Sequence, residues 1–216
     1  PSWAPNRREV VCKLDNSYTK EAGLYICDVF GNLELLVAGG SCGKPKWSPD
    51  GSKIAYLLYE DSEYNIFVID VGGGTPRRLT TGGVGSFDWF PDGKRLLCRY
   101  QGLTSIDVNT GEIVDLSDLT SEITYMDEIN VSPDGEYVAY SCNPAGDTPR
   151  DIYILNLKTK EICRVTAEKI PPPEEYPIPM MHGAFSPTWS SDGKSIAFLS
   201  TRRNYNSYEL YRIRVF

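Results

Sequence analysis

One phrase of nine residues that returns along the chain limits its fold more than any other feature, because a repeated phrase implies a repeated structural unit. Trp47-Ser48-Pro49-Asp50-Gly51-Ser52-Lys53-Ile54-Ala55 recurs as Trp89-Phe90-Pro91-Asp92-Gly93-Lys94-Arg95-Leu96-Leu97. It returns as Val131-Ser132-Pro133-Asp134-Gly135-Glu136-Tyr137-Val138-Ala139 and as Trp189-Ser190-Ser191-Asp192-Gly193-Lys194-Ser195-Ile196-Ala197. A degenerate first copy reads Trp3-Ala4-Pro5-Asn6-Arg7-Arg8-Glu9-Val10-Val11. The five anchor positions lie 44, 42, 42 and 58 residues apart, and all four tryptophans of the chain occupy anchors, with Val131 taking the remaining one.

Each copy has the same internal grammar. A strand ends at the anchor, and a Pro-Asp-Gly turn follows whose glycine can take positive φ. In the second copy an apolar strand, Lys53 to Tyr59, is followed by a short loop and a third strand, Asn65 to Val71. Gly72-Gly73-Gly74 then leads into Arg77-Arg78-Leu79-Thr80 as a fourth strand. Short runs rich in β-branched and aromatic residues, broken by turn chemistry, are strand signals, and no segment shows a convincing helical period. Four strands per repeat of roughly 40–45 residues is the signature of a propeller blade. The reading is an all-β propeller of four-stranded antiparallel blades, five repeats visible and five- or six-bladed when complete. It forms a single domain over 1–216, with blades near 1–43, 44–85, 86–127, 128–168 and 185–216 and an insertion over 169–184.

These residues, W-S-P-D-G-x-x-I-A-F, then I-Y-x-x-x, then a strand ending x-R-L-T, resemble the TolB-like, WD-repeat-like blade, and the resemblance covers nearly the whole chain. It departs from the pattern at Asn6-Arg7 in place of Asp-Gly, at Val131 in place of Trp and at Ser191 in place of Pro. The chain begins just before the first anchor and stops after a third strand, Tyr208 to Val215. That predicts a fragment of a longer propeller, six-bladed as in the TolB-like family, with a complete five-bladed ring as the rival. The resemblance implies a non-catalytic scaffold that binds a protein or peptide on one rim and needs no cofactor. The alternative it implies is a propeller associated with an enzyme, either the gating domain of a prolyl-oligopeptidase-type serine peptidase or a polysaccharide lyase resembling oligogalacturonate lyase. The lyase needs several metal-ligating histidines, and this chain has one.

Charge and cysteine usage narrow the partners. A formal net charge of −7, with no run of five or more Lys and Arg, opposes phosphate neutralisation, so nucleic acid is not an expected partner. No apolar run approaches the roughly 18–20 residues of a bilayer-spanning helix, so membrane insertion is not expected either. The oligomeric state is left open, an edge-to-edge dimer being one alternative if the ring is open. Of the six cysteines, Cys12 and Cys98 share a repeat position with Tyr56, Tyr140 and Phe198. Cys27 aligns with Ile69, Ile106, Leu155 and Ile213, and Cys142 with Leu14 and Leu58. Most are therefore read as buried free thiols, a Cys12–Cys27 bridge being the alternative. Unpaired thiols favour a reducing compartment, and a removed signal would allow a periplasmic or secreted one.

Two motifs imitate chemistry. Gly39-Gly40-Ser41-Cys42-Gly43 fits the G-x-S-x-G nucleophile pattern, but that motif needs a strand–turn–helix setting and a histidine base. It reads as a connection between blades. Asp107-Val108-Asn109-Thr110-Gly111-Glu112 imitates the start of a calcium loop and reads as a hairpin turn. The 16-residue excess before the last anchor is the one break in the period, and function enters repeat scaffolds at such insertions. In a propeller, the connection between blades opens on the same face as the loop between second and third strands. The insertion should therefore meet the loops Asn143 to Arg150 and Arg202 to Ser207. The candidate rim is Asp147, Arg150, Tyr176, Met180, Met181, His182, Arg202, Arg203 and Tyr205. No catalytic, metal-binding or cofactor-binding residue is assigned.

Overall fold

The computed structural model describes residues 1–15, 19, 21–119, 126–143, 150–166, 183–201 and 208–216. Its strands fall into five antiparallel sheets in chain order. The first holds β1 (Ser2–Trp3), β2 (Glu9–Leu14), β3 (Gly23–Asp28) and β4 (Leu33–Ala38). The second holds β5 (Cys42–Trp47), β6 (Lys53–Glu60), β7 (Glu63–Asp70) and β8 (Arg77–Arg78). Then come β9 (Phe87–Trp89), β10 (Arg95–Arg99), β11 (Leu103–Asp107) and β12 (Ile113–Asp115), followed by β13 (Met126–Val131), β14 (Tyr137–Cys142), β15 (Asp151–Asn156) and β16 (Ile162–Arg164). The fifth sheet has three strands, β17 (Ala184–Trp189), β18 (Ser195–Ser200) and β19 (Glu209–Arg214). The chain is an all-β propeller of five blades, four of them four-stranded, as the repeat predicts. Among the described residues the helical content is one short 3₁₀ turn, Ser117–Leu119.

The repeated phrase builds the turn between the first two strands of a blade. Ser48 Oγ donates to Asp50 Oδ1 at 2.6 Å and accepts from the Lys53 amide at 2.9 Å, while the Ser52 amide donates to Asp50 at 3.0 Å. Ser132 with Asp134, and Ser190 with Asp192, repeat the arrangement. The third blade has Phe90 where the serine stands, and there Asp92 accepts from the amides of Lys94 and Arg95 and from the Arg95 guanidinium. Gly51, Gly93, Gly135 and Gly193 all hold φ between 65° and 76°, the region that glycine enters without steric cost.

Packing divides the chain into two compact units. Unit 1 comprises Pro1–Gly85 and Asp92–Val114; unit 2 comprises Ser86–Pro91 and Asp115–Phe216. In unit 1 a core of Val11, Leu24, Ile26, Trp47, Ile54, Tyr56, Phe67 and Ile69 joins the first two blades face to face. In unit 2 Ala139, Ile152, Ile154, Ala184, Ile196 and Phe198 do the same for the last two.

First strands of successive blades are also latched by hydrogen bonds that have no counterpart in the repeat's consensus. The residue just before an anchor offers a side-chain oxygen to the amide of the next anchor. Ser2 Oγ accepts from Trp47 at 3.2 Å, Asp88 Oδ2 from Val131 at 2.8 Å and Asn130 Oδ1 from Trp189 at 3.0 Å. Three residues before an anchor, the first strand bulges. The register shifts across Gly43/Lys46, Asp127/Asn130 and Phe185/Thr188, and the bulged residues Lys44, Glu128 and Ser186 take φ of 48°, 52° and 51°. Bulges re-aim side chains at the ends of strands, which here brings Lys44 Nζ to the Gly85 carbonyl at 3.1 Å and Glu128 to the Ser186 amide at 2.6 Å.

All six cysteines are free. Cys98 and Cys142 are buried as expected and Cys42 is buried too, whereas Cys12 and Cys27, expected at core positions, are only half-buried, and Cys163 is exposed because β16 is an outer strand. Cys12 faces Tyr25 and Cys27 faces Val10, so the two thiols are diagonal rather than opposite neighbours on one face.

Candidate functional site

The expected rim falls almost entirely outside the described residues: Asp147, Tyr176, Met180, Met181, His182, Arg202, Arg203 and Tyr205 are not among them. Arg150 is. Its guanidinium pairs with Asp127 at 3.0 Å and its Cζ lies 5.7 Å from the centre of the Phe185 ring. Around it the backbone of unit 2 gathers the residues that bound three segments. Arg150 bridges to Gly183, the Ala184 amide donates to the Arg150 carbonyl at 2.8 Å, and the Thr201 amide donates to the Gly183 carbonyl at 3.1 Å. Gly183 holds φ of 146°, and a Cβ there would lie 2.4 Å from the Arg150 carbonyl oxygen, so the junction admits only glycine. At the other end of the insertion, Thr166 Oγ1 donates to Asp151 at 2.7 Å and accepts from the Ile152 amide at 2.9 Å. The Arg164 guanidinium pairs with the same carboxylate.

A concavity that was not foreseen lies in unit 1. It is a cleft of about 440 Å³ lined by Lys13, Gly40–Lys44, Leu57, Tyr59, Tyr64, Val84 and Gly85. Besides Lys13 of β2, three segments build it: the connection entering β5, the hairpin joining β6 to β7, and the connection that precedes β9. These are the two kinds of segment that propeller geometry places on one face, here in other blades than expected. Tyr59 and Tyr64 face each other across the hairpin with ring centres 5.0 Å apart and edge-to-face, each 47% exposed. A pair of half-exposed tyrosines held on two strands presents apolar area at little conformational cost. The Tyr59 amide donates to the Ser41 carbonyl at 3.0 Å and the Val84 amide to the Tyr64 carbonyl at 2.9 Å, which fixes all three segments to one another.

Charge in the cleft is cationic. Lys13 and Lys44 are exposed on its wall. The acids of the neighbouring hairpin turn to partners of their own: Glu60 and Asp61 to Arg78, at 2.8 and 3.4 Å, and Glu63 to the Gly83 amide at 3.0 Å. Cys42 is the one thiol on the wall. It is buried, donates to the Gly39 carbonyl at 3.0 Å, and burial pushes its pKa up, which keeps it a neutral thiol and a poor nucleophile.

Neither imitation motif gains a chemical setting. Ser41 leads into strand β5 rather than a helix, and His182 lies outside the described residues. Asp107 accepts from the amides of Thr110 at 2.8 Å and Asn109 at 2.9 Å, and these bonds hold its pKa below the ordinary carboxylate range, closing the β11–β12 hairpin.

The sequence pattern of the prolyl oligopeptidase N-terminal β-propeller domain matches residues 93–214. TolB from Acinetobacter baumannii superposes with a TM-score of 0.78 at 19% identity, over 99% of this chain and 51% of that one. A putative TolB from Agrobacterium tumefaciens gives 0.75 at 21% identity, over 100% and 76%. Oligogalacturonate lyase from Vibrio parahaemolyticus gives 0.68 at 14%, over 100% and 65%. At these identities the likeness is one of fold, and the chain spans about half the length of the Acinetobacter TolB. No curated protein sequence matches.

Proposed function

This chain belongs to the prolyl oligopeptidase N-terminal β-propeller domain family, and from that premise we propose that it is a non-catalytic scaffold binding a protein or peptide segment. The observation that carries this reading is the unit 1 cleft, with Tyr59 and Tyr64 paired on its wall. Tyrosine is the residue type that anchors interfaces, and a groove bounded by two connections and a hairpin suits an extended segment. The only thiol on the cleft wall is buried and held neutral, so the chemistry offered there is contact rather than attack. In this reading the rim expected around Arg150 is a further contact surface.

The test is selection of a displayed random-peptide library on the purified chain, followed by affinity measurement on a variant carrying Tyr59→Ala and Tyr64→Ala. Loss of two central interface tyrosines should weaken the selected peptides by about 2 kcal/mol or more, roughly thirtyfold. Equal affinity for both proteins, with the variant's fold intact by circular dichroism, overturns the reading. The family match favours a second reading, in which the propeller serves a serine peptidase. Labelling by a fluorophosphonate probe of the native polypeptide that carries this propeller would favour it.

A further inference from the structure

We propose that the unit 1 cleft selects an acidic segment, one that sets an apolar side chain against Tyr59 and Tyr64 and flanking carboxylates against Lys13 and Lys44. The inference rests on the reading that this cleft binds a peptide and adds the ligand's chemistry to it. Three observations carry it.

The first is the local balance of charge. Unit 1 holds 12 Lys and Arg against 13 Asp and Glu, a net −1, whereas unit 2 holds 10 against 16, a net −6. Unit 1 taken by itself is therefore close to neutral, and its own charge opposes an anion far less than the chain's total of −7 suggests.

The second is the disposition of the ionic groups. Lys13 and Lys44 are exposed on the wall, while the three hairpin acids are occupied by Arg78 and the Gly83 amide. Lys44 is carried there by the β5 bulge at φ of 48°, a conformation that non-glycine residues rarely adopt. Its ammonium gives one bond to the Gly85 carbonyl and keeps donors for a ligand. Arg99 lies behind the same glycine: a Cβ at Gly85 would come within 2.4 Å of its guanidinium. The cations on the wall itself are Lys13 and Lys44.

The third is the absence of side chains along the floor. A Cβ at Gly43 would meet nothing within 4 Å, and one at Gly40 only the Ala22 methyl at 3.6 Å. Space continues to the backbone, so an extended segment can lie close to the strand end. Leu57 and Val84 complete an apolar wall behind it. An apolar residue flanked by carboxylates satisfies the tyrosine pair and the lysines together; a purely anionic ligand would leave the apolar wall uncovered.

The experiment uses the whole chain and two fluorescein-labelled peptide pools with one Leu or Phe at the centre, flanked by Glu in one pool and Gln in the other. Fluorescence polarisation is read in low and moderate salt on the unaltered chain, on Lys13→Gln with Lys44→Gln, and on Gly43→Leu. Gly43→Leu fills the groove, a Cβ there meeting no atom within 4 Å; Tyr64→Ala is the second variant should Gly43→Leu fold poorly. The expected result is tighter binding of the Glu pool, on the order of fivefold and reduced by salt. That preference should vanish in the lysine variant, the Glu pool losing more affinity than the Gln pool, and both pools should lose binding to Gly43→Leu. If Gly43→Leu and Tyr64→Ala abolish binding while the Glu preference survives lysine removal, the cleft reading stands and the acidic inference is overturned. If neither pool binds, or neither cleft variant changes binding, both are overturned.

Discussion

Two buried phenols show how a repeat constrains single residues. Tyr56 and Tyr140 occupy the same position in the second and fourth blades, both have no accessible surface, and neither hydroxyl has a hydrogen-bond partner among the described residues. Burial is the first cause holding both phenols above the usual tyrosine range, so they remain neutral at any physiological pH. Each ring stacks on the third strand of its blade, Tyr56 on Phe67 at 5.9 Å and Tyr140 on Tyr153 at 5.6 Å. The fifth blade has Phe198 at this position, stacked on Tyr211 at 5.7 Å, so the scaffold accepts the ring without the hydroxyl. An unpartnered buried hydroxyl costs about 1–3 kcal/mol, while the ring supplies the packing. Tyr140→Phe is therefore expected to be neutral or to stabilise by about 1 kcal/mol in urea unfolding. A loss of more than about 1 kcal/mol would mean that the hydroxyl is satisfied in solution.

At the scale of elements, the turn that the repeated phrase encodes makes the fold sensitive to acid. Hydrogen bonds lower the pKa of Asp50, first from the Ser48 hydroxyl and then from the Ser52 amide. For Asp134 burial is the largest influence and pushes upward, yet the Ser132 hydroxyl and Glu136 amide together outweigh it and the net shift is down. A carboxyl whose folded pKa lies below its unfolded value stabilises the fold above the unfolded value, near 3.8. That contribution is lost as pH falls through the lower, folded value. The urea midpoint should therefore hold steady from neutral pH to about pH 5 and fall steeply below about pH 4. Asp50→Asn with Asp134→Asn should lower the neutral midpoint and flatten the fall; a variant that loses as much on acidification as the parent would remove these turns as the cause. Such turns are legible in sequence because Ser, Pro, Asp and Gly each have a distinct backbone role. The latches are not, since Ser2, Asp88 and Asn130 share only a side-chain oxygen one residue before an anchor. The cleft is hidden for a related reason. It is assembled from three separate segments around a bulge at Lys44, and a Lys-Pro pair carries none of the glycine or asparagine that announces positive φ.

For the molecule as a whole, a chain of similar blades has stability that is close to a sum of blade terms and terms between neighbours, rather than the property of one central core. Trp47 contributes to such a neighbour term. It is 7% exposed, and its cluster draws on β2 and β3 of the first blade and on β6 and β7 of the second. Truncating a buried tryptophan to alanine removes its packing and leaves a cavity, at about 3–5 kcal/mol. The corresponding cluster in unit 2 contains no residue of the first two blades. Trp47→Ala should therefore reduce amide hydrogen-exchange protection in β2, β3, β6 and β7 by the full loss, because opening of those blades becomes easier. Protection in β14, β15 and β18, where exchange proceeds through more local openings, should stay near that of the parent. Uniform loss across all five blades would instead make the propeller a single cooperative unit, in which a change in either cleft or loops would be felt by every blade. The graded outcome would leave unit 1 free to order its cleft on binding while the strands that hold Arg150, Gly183 and Thr201 keep their protection, and peptide addition should then slow exchange in β5, β6 and β7 alone.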